Sequence, residues 1–144
     1  MKYPAILFVC AGLATSALAA DLAPPPPGDP LTVISTKAQS TKCLNNAKQL
    51  VVALLMFISD HDGDYPVALD ELKTYLKVSP DKFPCPFDPK KAGCGYEFLL
   101  SGKKLSAILD PAATPMLRAK FAGPDGRRTV AFADGHVEAI KDGK

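Results

Sequence analysis

The chain has no tryptophan and only two histidines, His61 and His136. Neither histidine has a second one four residues away, so the helical two-histidine metal motif is excluded. No two cysteines stand at C-x-x-C spacing, so the short-loop zinc pattern is missing as well. Charge of one sign is also scarce. The net charge is +2 over 144 residues, and the basic residues are scattered. That balance gives no electrostatic footprint for nucleic acid, and no nucleic-acid partner is expected. No spacing of acids, histidines or hydroxyls brings an acid and a base into evident reach, so no catalytic residues are assigned and the chain is read as a non-enzyme.

Another absence is constructive. From Thr36 to Ser59 there is neither glycine nor proline, so nothing interrupts a helix. Cys43, Leu44, Ala47, Leu50, Val51, Leu54, Phe57 and Ile58 recur at steps of three and four, which places them on one stripe. Thr36-x-x-Gln39 offers a capping box at the start, and Asp62-Gly63 with Pro66 stops the helix. The spacing predicts one amphipathic helix over residues 36–60. Its second half, Leu50–Ile58, is apolar almost all round, so cover on more than one side is expected.

The first twenty residues read as a signal peptide. Lys2 is the charged region, Ala5–Leu13 the apolar core, and Ala17-Leu18-Ala19 the cleavage site, giving a signal over residues 1–19. The apolar run is too short for a membrane anchor, so no span is expected after its removal. The mature protein is then periplasmic or extracellular. Residues 20–35 follow as a linker, with four consecutive prolines that favour an extended spacer.

After the helix, Asp60, Asp62 and Asp64 alternate around Gly63 and suggest an oxygen-rich calcium loop. The spacing is not that of an EF-hand, and a solvated turn is the simpler reading. Calcium is the cofactor this stretch suggests. Ala68–Leu76 reads as a short helix with Leu69, Leu72 and Leu76 inward. Signal removal leaves Cys43, Cys85 and Cys94. An oxidising compartment makes a disulfide the default. Cys85 and Cys94 are close in sequence, and closing that loop is worth about 2.5–3 kcal/mol in the chain-entropy model. The rival pair is Cys43 with Cys85, which staples the helix to the loop. Either choice leaves one thiol over. A zinc site of three cysteines completed by His61 or His136, and Cys–His nucleophilic chemistry, are the remaining alternatives.

The C-terminal half carries strand patterns. Tyr96, Phe98 and Leu100 alternate, as do Leu117, Ala119 and Phe121. Arg128–Ile140 is a hairpin signal centred on Asp134-Gly135, which suits a two-residue turn. That turn would set Phe132 opposite Val137 and Val130 opposite Ala139, all on one face. The elements sum to an α+β domain over residues 36–140. One long helix lies on an antiparallel sheet of three or four strands, and a polar tail follows over residues 141–144.

In this order, Cys43-Leu-Asn-Asn-Ala-Lys-Gln-Leu50, Ala53-Leu-Leu-Met-Phe57, Asp62-Gly63-x-Tyr65-Pro66, Leu72-x-x-Tyr75-Leu76, Phe83-x-Cys85-Pro86 and Ala131-Phe-Ala-Asp-Gly-His-Val137 are present. The sequence resembles the prepilin-like, type II secretion pseudopilin-like proteins of planctomycetes and verrucomicrobia over about Cys43–Ile140. The resemblance implies a pilin-like fold and an extracytoplasmic structural or secretion-related role, with other pilin-like proteins as partners. The family's prepilin cleavage motif is missing, and the first glutamate is Glu71. Where many members carry a histidine ten positions before the Asp-Gly pair, this chain has Pro124. The expectation is an exported accessory binding domain that does not form fibres. The alternatives are a subunit of a secretion or pilus-like assembly and a calcium-dependent binding module.

Overall fold

A computed structural model describes residues 30–141. The stretch read as a signal peptide, the four prolines and residues 142–144 of the tail lie outside that range. The chain folds as α+β. One long helix, α1 (Pro30–Asp60), crosses a sheet of four antiparallel strands. The strands are β1 (Tyr96–Phe98), β2 (Pro115–Ala119), β3 (Arg127–Phe132) and β4 (Val137–Lys141), hydrogen-bonded in chain order. A 3₁₀ turn at Leu69–Leu72 runs into the short helix α2 (Lys73–Leu76) beside the end of α1.

Helix α1 begins at Pro30 rather than at Thr36, and so takes in the last part of the stretch read as linker. Proline suits the first helical position, where its missing N–H has no partner to lose and its φ is already set. It is the last proline before an unbroken run, so the helix starts there. Thr36 then lies inside the helix and its capping box is unused. At the other end the Gly63 N–H reaches back to the Ile58 carbonyl at 2.9 Å, the six-to-one bond of a Schellman-type stop.

The buried residues of α1 are Cys43, Ala47, Leu50, Val51, Ala53, Leu54, Phe57 and Ile58. The expected stripe therefore faces the core, apart from Leu44, which is half-buried. Expected cover on several sides is not found. Val52 is 57% exposed, Met56 51% and Leu55 39%. The sheet and α2 are too small to wrap the helix, so its outer side stays in water. Residues 30–42 contribute no fully buried side chain.

Two corrections concern strand register. In β2, Met116 is an extra residue between the pairs Pro115–Phe132 and Leu117–Ala131. This bulge breaks the alternation, so Met116 and Leu117 are both buried although adjacent. Phe121, expected inward, lies past the end of β2 and is 38% exposed. In the β3–β4 hairpin the turn holds three residues, not two. Phe132 N–H bonds to the His136 carbonyl at 3.0 Å, and Gly135 N–H to the Phe132 carbonyl at 2.9 Å. Gly135 sits at φ +96°, which closes the turn without a side-chain penalty. Val137 therefore pairs with Ala131, and Ala139 with Thr129. The one-residue slip turns Val137 to the helix and leaves Phe132 off the face expected for it. There Phe132 is half-buried under the ring of His136, which stacks on it at 4.3 Å.

The core sits between α1 and the sheet. Ala47 on the helix shares this core with a sheet face built from Leu117, Ala119, Ala131 and Ala133, with Tyr96 at its edge, while Ala53 lies toward Tyr75 and Leu76 of α2. Small residues on both sides let the two backbones approach closely. Leu72 fills the end of the core near α2.

Candidate functional site

The densest polar cluster in this core surrounds Cys43. The helical stripe points its thiol at the sheet, where it is 1% exposed. Across from it is Cys85, 0% exposed, on the loop after Phe83. The two thiols lie side by side, each the strongest influence on the other's proton, and Cys85 Sγ also donates to the Phe121 carbonyl at 3.8 Å. The Thr129 hydroxyl of β3 also bonds the Cys43 sulfur. Tyr96 of β1 donates to the Cys43 carbonyl at 2.6 Å, and its oxygen lies 3.4 Å from the Cys43 sulfur. Donors from Cys85, Thr129 and Tyr96 thus converge on one sulfur.

Backbone geometry holds Cys85 in place. Pro84 and Pro86 flank it, and the loop turns through a bond from Asp88 N–H to the Cys85 carbonyl at 3.0 Å. The Asp88 carboxylate, buried, accepts Lys90 N–H at 2.8 Å. Asn46, one turn along from Cys43, donates to the Pro84 carbonyl at 3.3 Å. Gly95 N–H bonds to the Phe83 carbonyl at 2.9 Å. The loop is therefore tied to the helix on one side and to the entry of β1 on the other.

Electrostatics follow from this arrangement. The hydrogen bond from Cys85, helped by those from Thr129 and Tyr96, holds the Cys43 thiol below its ordinary range against the opposing effect of burial. Sharing that bond with Cys43, together with burial, pushes Cys85 up. Burial also raises Tyr96. Cys94 is half-buried, and burial raises it, with the Tyr96 N–H and Lys120 acting the other way.

Of the three cysteines singled out in the sequence, the structure brings Cys43 and Cys85 together. All three are free thiols in it. The sequence suggested both pairings but gave no sign of Thr129 or Tyr96 at the site. A threonine in an alternating strand and a tyrosine at a strand edge read as ordinary β residues.

The acidic stretch is arranged differently. Asp60 accepts the Tyr75 hydroxyl at 2.8 Å, and Asp64 pairs with Lys104 at 2.8 Å. Asp62 sits at φ +50° in the turn between them. Among the described residues no group of three or more histidines, cysteines, aspartates or glutamates is placed to hold a metal ion. Both histidines have local partners. His61 stacks on Phe57 at 3.8 Å with its Nδ1 2.8 Å from the Phe57 carbonyl. His136 places Nδ1 2.6 Å from Asp134 Oδ1, and the same oxygen accepts the His136 N–H at 3.1 Å. These bonds brace the hairpin turn.

A groove of about 520 Å³ opens where the N-terminal half of α1 overhangs the sheet, between Val33, Lys37, Phe87, Arg127 and Ala139. Among the described residues no helix is long and apolar enough to cross a membrane. No family model, curated protein or solved structure matches the chain.

Proposed function

We propose that the protein is an exported, pilin-like accessory domain of the cell envelope. It has no catalytic activity of its own and acts through its surface. The observation that carries this reading is the free half of α1. Residues 30–42 extend past the core with no fully buried side chain, and Leu31, Val33 and Ile34 are 72%, 58% and 65% exposed. Isolated exposed apolar residues are ordinary, but Leu31 and Ile34, three apart, share one outer face of the helix as a docking edge, and Val33 extends the apolar surface to the groove over the sheet. A long helix on a four-stranded antiparallel sheet is also the architecture expected from the sequence resemblance. Other pilin-like proteins are the partners this helix suits. The polar residues on its third and fourth turns, Lys37, Gln39, Ser40 and Lys42, disfavour stacking into a continuous fibre.

The test is a photo-crosslinking amino acid placed at Ile34 of the full chain in its native cell. A crosslink to a pilin-class protein, lost when Leu31 and Val33 are changed to lysine, is expected. An unchanged adduct after those changes contradicts the docking edge. Ordered filaments of the purified mature protein by electron microscopy contradict the non-fibrous role.

A further inference from the structure

We propose that Cys43 and Cys85 are the pair that oxidises to a disulfide, joining α1 to the 83–88 loop, while Cys94 stays a thiol. Three observations place this pair ahead of Cys85–Cys94. Both side chains are buried in one cluster, and each is the strongest influence on the other's proton. The backbones that carry them are tied independently by Asn46 and Pro84, so the contact does not depend on thiol positions alone. Gly95 meets Cys85 so closely that a Cβ there would lie 2.0 Å from the Cys85 nitrogen. Cys94 thus adjoins the Cys85 backbone, yet its own sulfur takes the Tyr96 N–H rather than a thiol.

The chemistry balances with a small-molecule disulfide as oxidant. The Cys43 thiolate attacks the donor S–S bond and releases one donor thiolate, leaving a mixed disulfide on Cys43. Cys85 gives up its proton and displaces the second donor sulfur, forming the Cys43–Cys85 bond. The protein loses two electrons and two protons, and the donor leaves as two thiols. Both sulfurs are sealed in the folded state, so the exchange belongs to the folding chain, before the 83–88 loop docks. The finished bond is then buried and shielded from reductant.

The bond matters in an oxidising compartment, and in that respect rests on the export reading. Its formation is tested without it. The full chain is unfolded in urea with reductant, refolded in a buffer of reduced and oxidised glutathione, alkylated, digested and mapped without reduction. All four cysteines, Cys10 included, are assigned. The expected main product is a Cys43–Cys85 linked peptide with Cys94 alkylated. Cys94→Ser oxidises as the wild type does, and Cys85→Ser forms no internal link. A Cys85–Cys94 or Cys43–Cys94 peptide as the main product, or Cys43 and Cys85 both left alkylated, overturns the pairing. Cys94→Ser and the wild-type map decide the matter even if Cys85→Ser fails to fold. Intact mass of the chain recovered from its native cell reports signal removal, so the export reading stands or falls separately.

Discussion

Gly95→Ala tests how tightly the Cys85 loop is locked to the sheet. An added Cβ would lie 2.0 Å from the Cys85 nitrogen and 2.6 Å from its Cα and Cβ. Ordinary contact between heavy atoms is about 3.5–4 Å, so loop and strand must part by roughly 1.5 Å. Neither can retreat freely. Gly95 N–H is bonded to the Phe83 carbonyl, and the Gly95 carbonyl to Lys120 N–H, both at 2.9 Å. Overpacking of this kind costs about 1–3 kcal/mol. A broken hydrogen bond adds about 1 kcal/mol, and replacing glycine in the unfolded chain returns about 0.4–1 kcal/mol. The expected net loss is about 1–3.5 kcal/mol, combining those contributions.

Gly135→Ala is the comparison. Its Cβ would crowd Leu55 Cδ1 at 3.0 Å, the far end of a side chain that can swing away, and would meet Val51 Cγ1 at an ordinary 3.9 Å. The remaining penalty is that of a left-handed alanine, about 1–2 kcal/mol before the same unfolded-state return. Urea unfolding of both variants followed by circular dichroism, with reductant present, measures the two losses. If Gly95→Ala loses less than Gly135→Ala, or stays within about 0.5 kcal/mol of wild type, the close docking of loop and strand is refuted.

The two sides of α1 give a second prediction. Leu54→Ala removes a side chain with no exposed surface and is expected to cost about 3–5 kcal/mol, whereas Val52→Ala on the wet side stays within about 0.5 kcal/mol; equal losses in the same assay would contradict the packing described. A third concerns acid. The N–H of His136, and then its ring, hold the Asp134 carboxyl below its ordinary range. Stability from that depressed group is present above the usual aspartate pKa of about 3.9 and fades as pH falls through the lowered value. The difference in urea midpoint between wild type and Asp134→Ala should therefore shrink in that acid window, and a difference that persists unchanged through it argues against the brace.

Much of the architecture was legible before any coordinates. The stripe from Cys43 to Ile58 required a helix with one buried face, because three- and four-residue spacing has no other regular solution. The alternating segments required strands, and the short connection at Asp134-Gly135 required β3 and β4 to be antiparallel neighbours. The start of the helix was less legible. Leu31–Ile34 is β-branched and reads equally as extended chain, and only the run without a breaker after Pro30 carries the helix through it.

Tertiary structure decided what depends on distance between remote segments. Period-two patterning says which residues share a face of a strand, but not which partner each one meets. A third turn residue in the hairpin shifted every pair in β3–β4, and a bulge at Met116 put two neighbours in the core together. The thiol contact is of the same kind. Sequence proximity favoured Cys85 with Cys94, since short loops close at little entropic cost. The fold instead brings the helix over the Cys85 loop and ties it there through Asn46. Local patterning marked the Cys43–Ile58 stripe for burial; the packing of α1 on the sheet determined which sulfur lies against which and left Val52 and Met56 in water. Hydrophobic burial is set by local pattern, while contact between distant residues exists only once the chain has closed on itself.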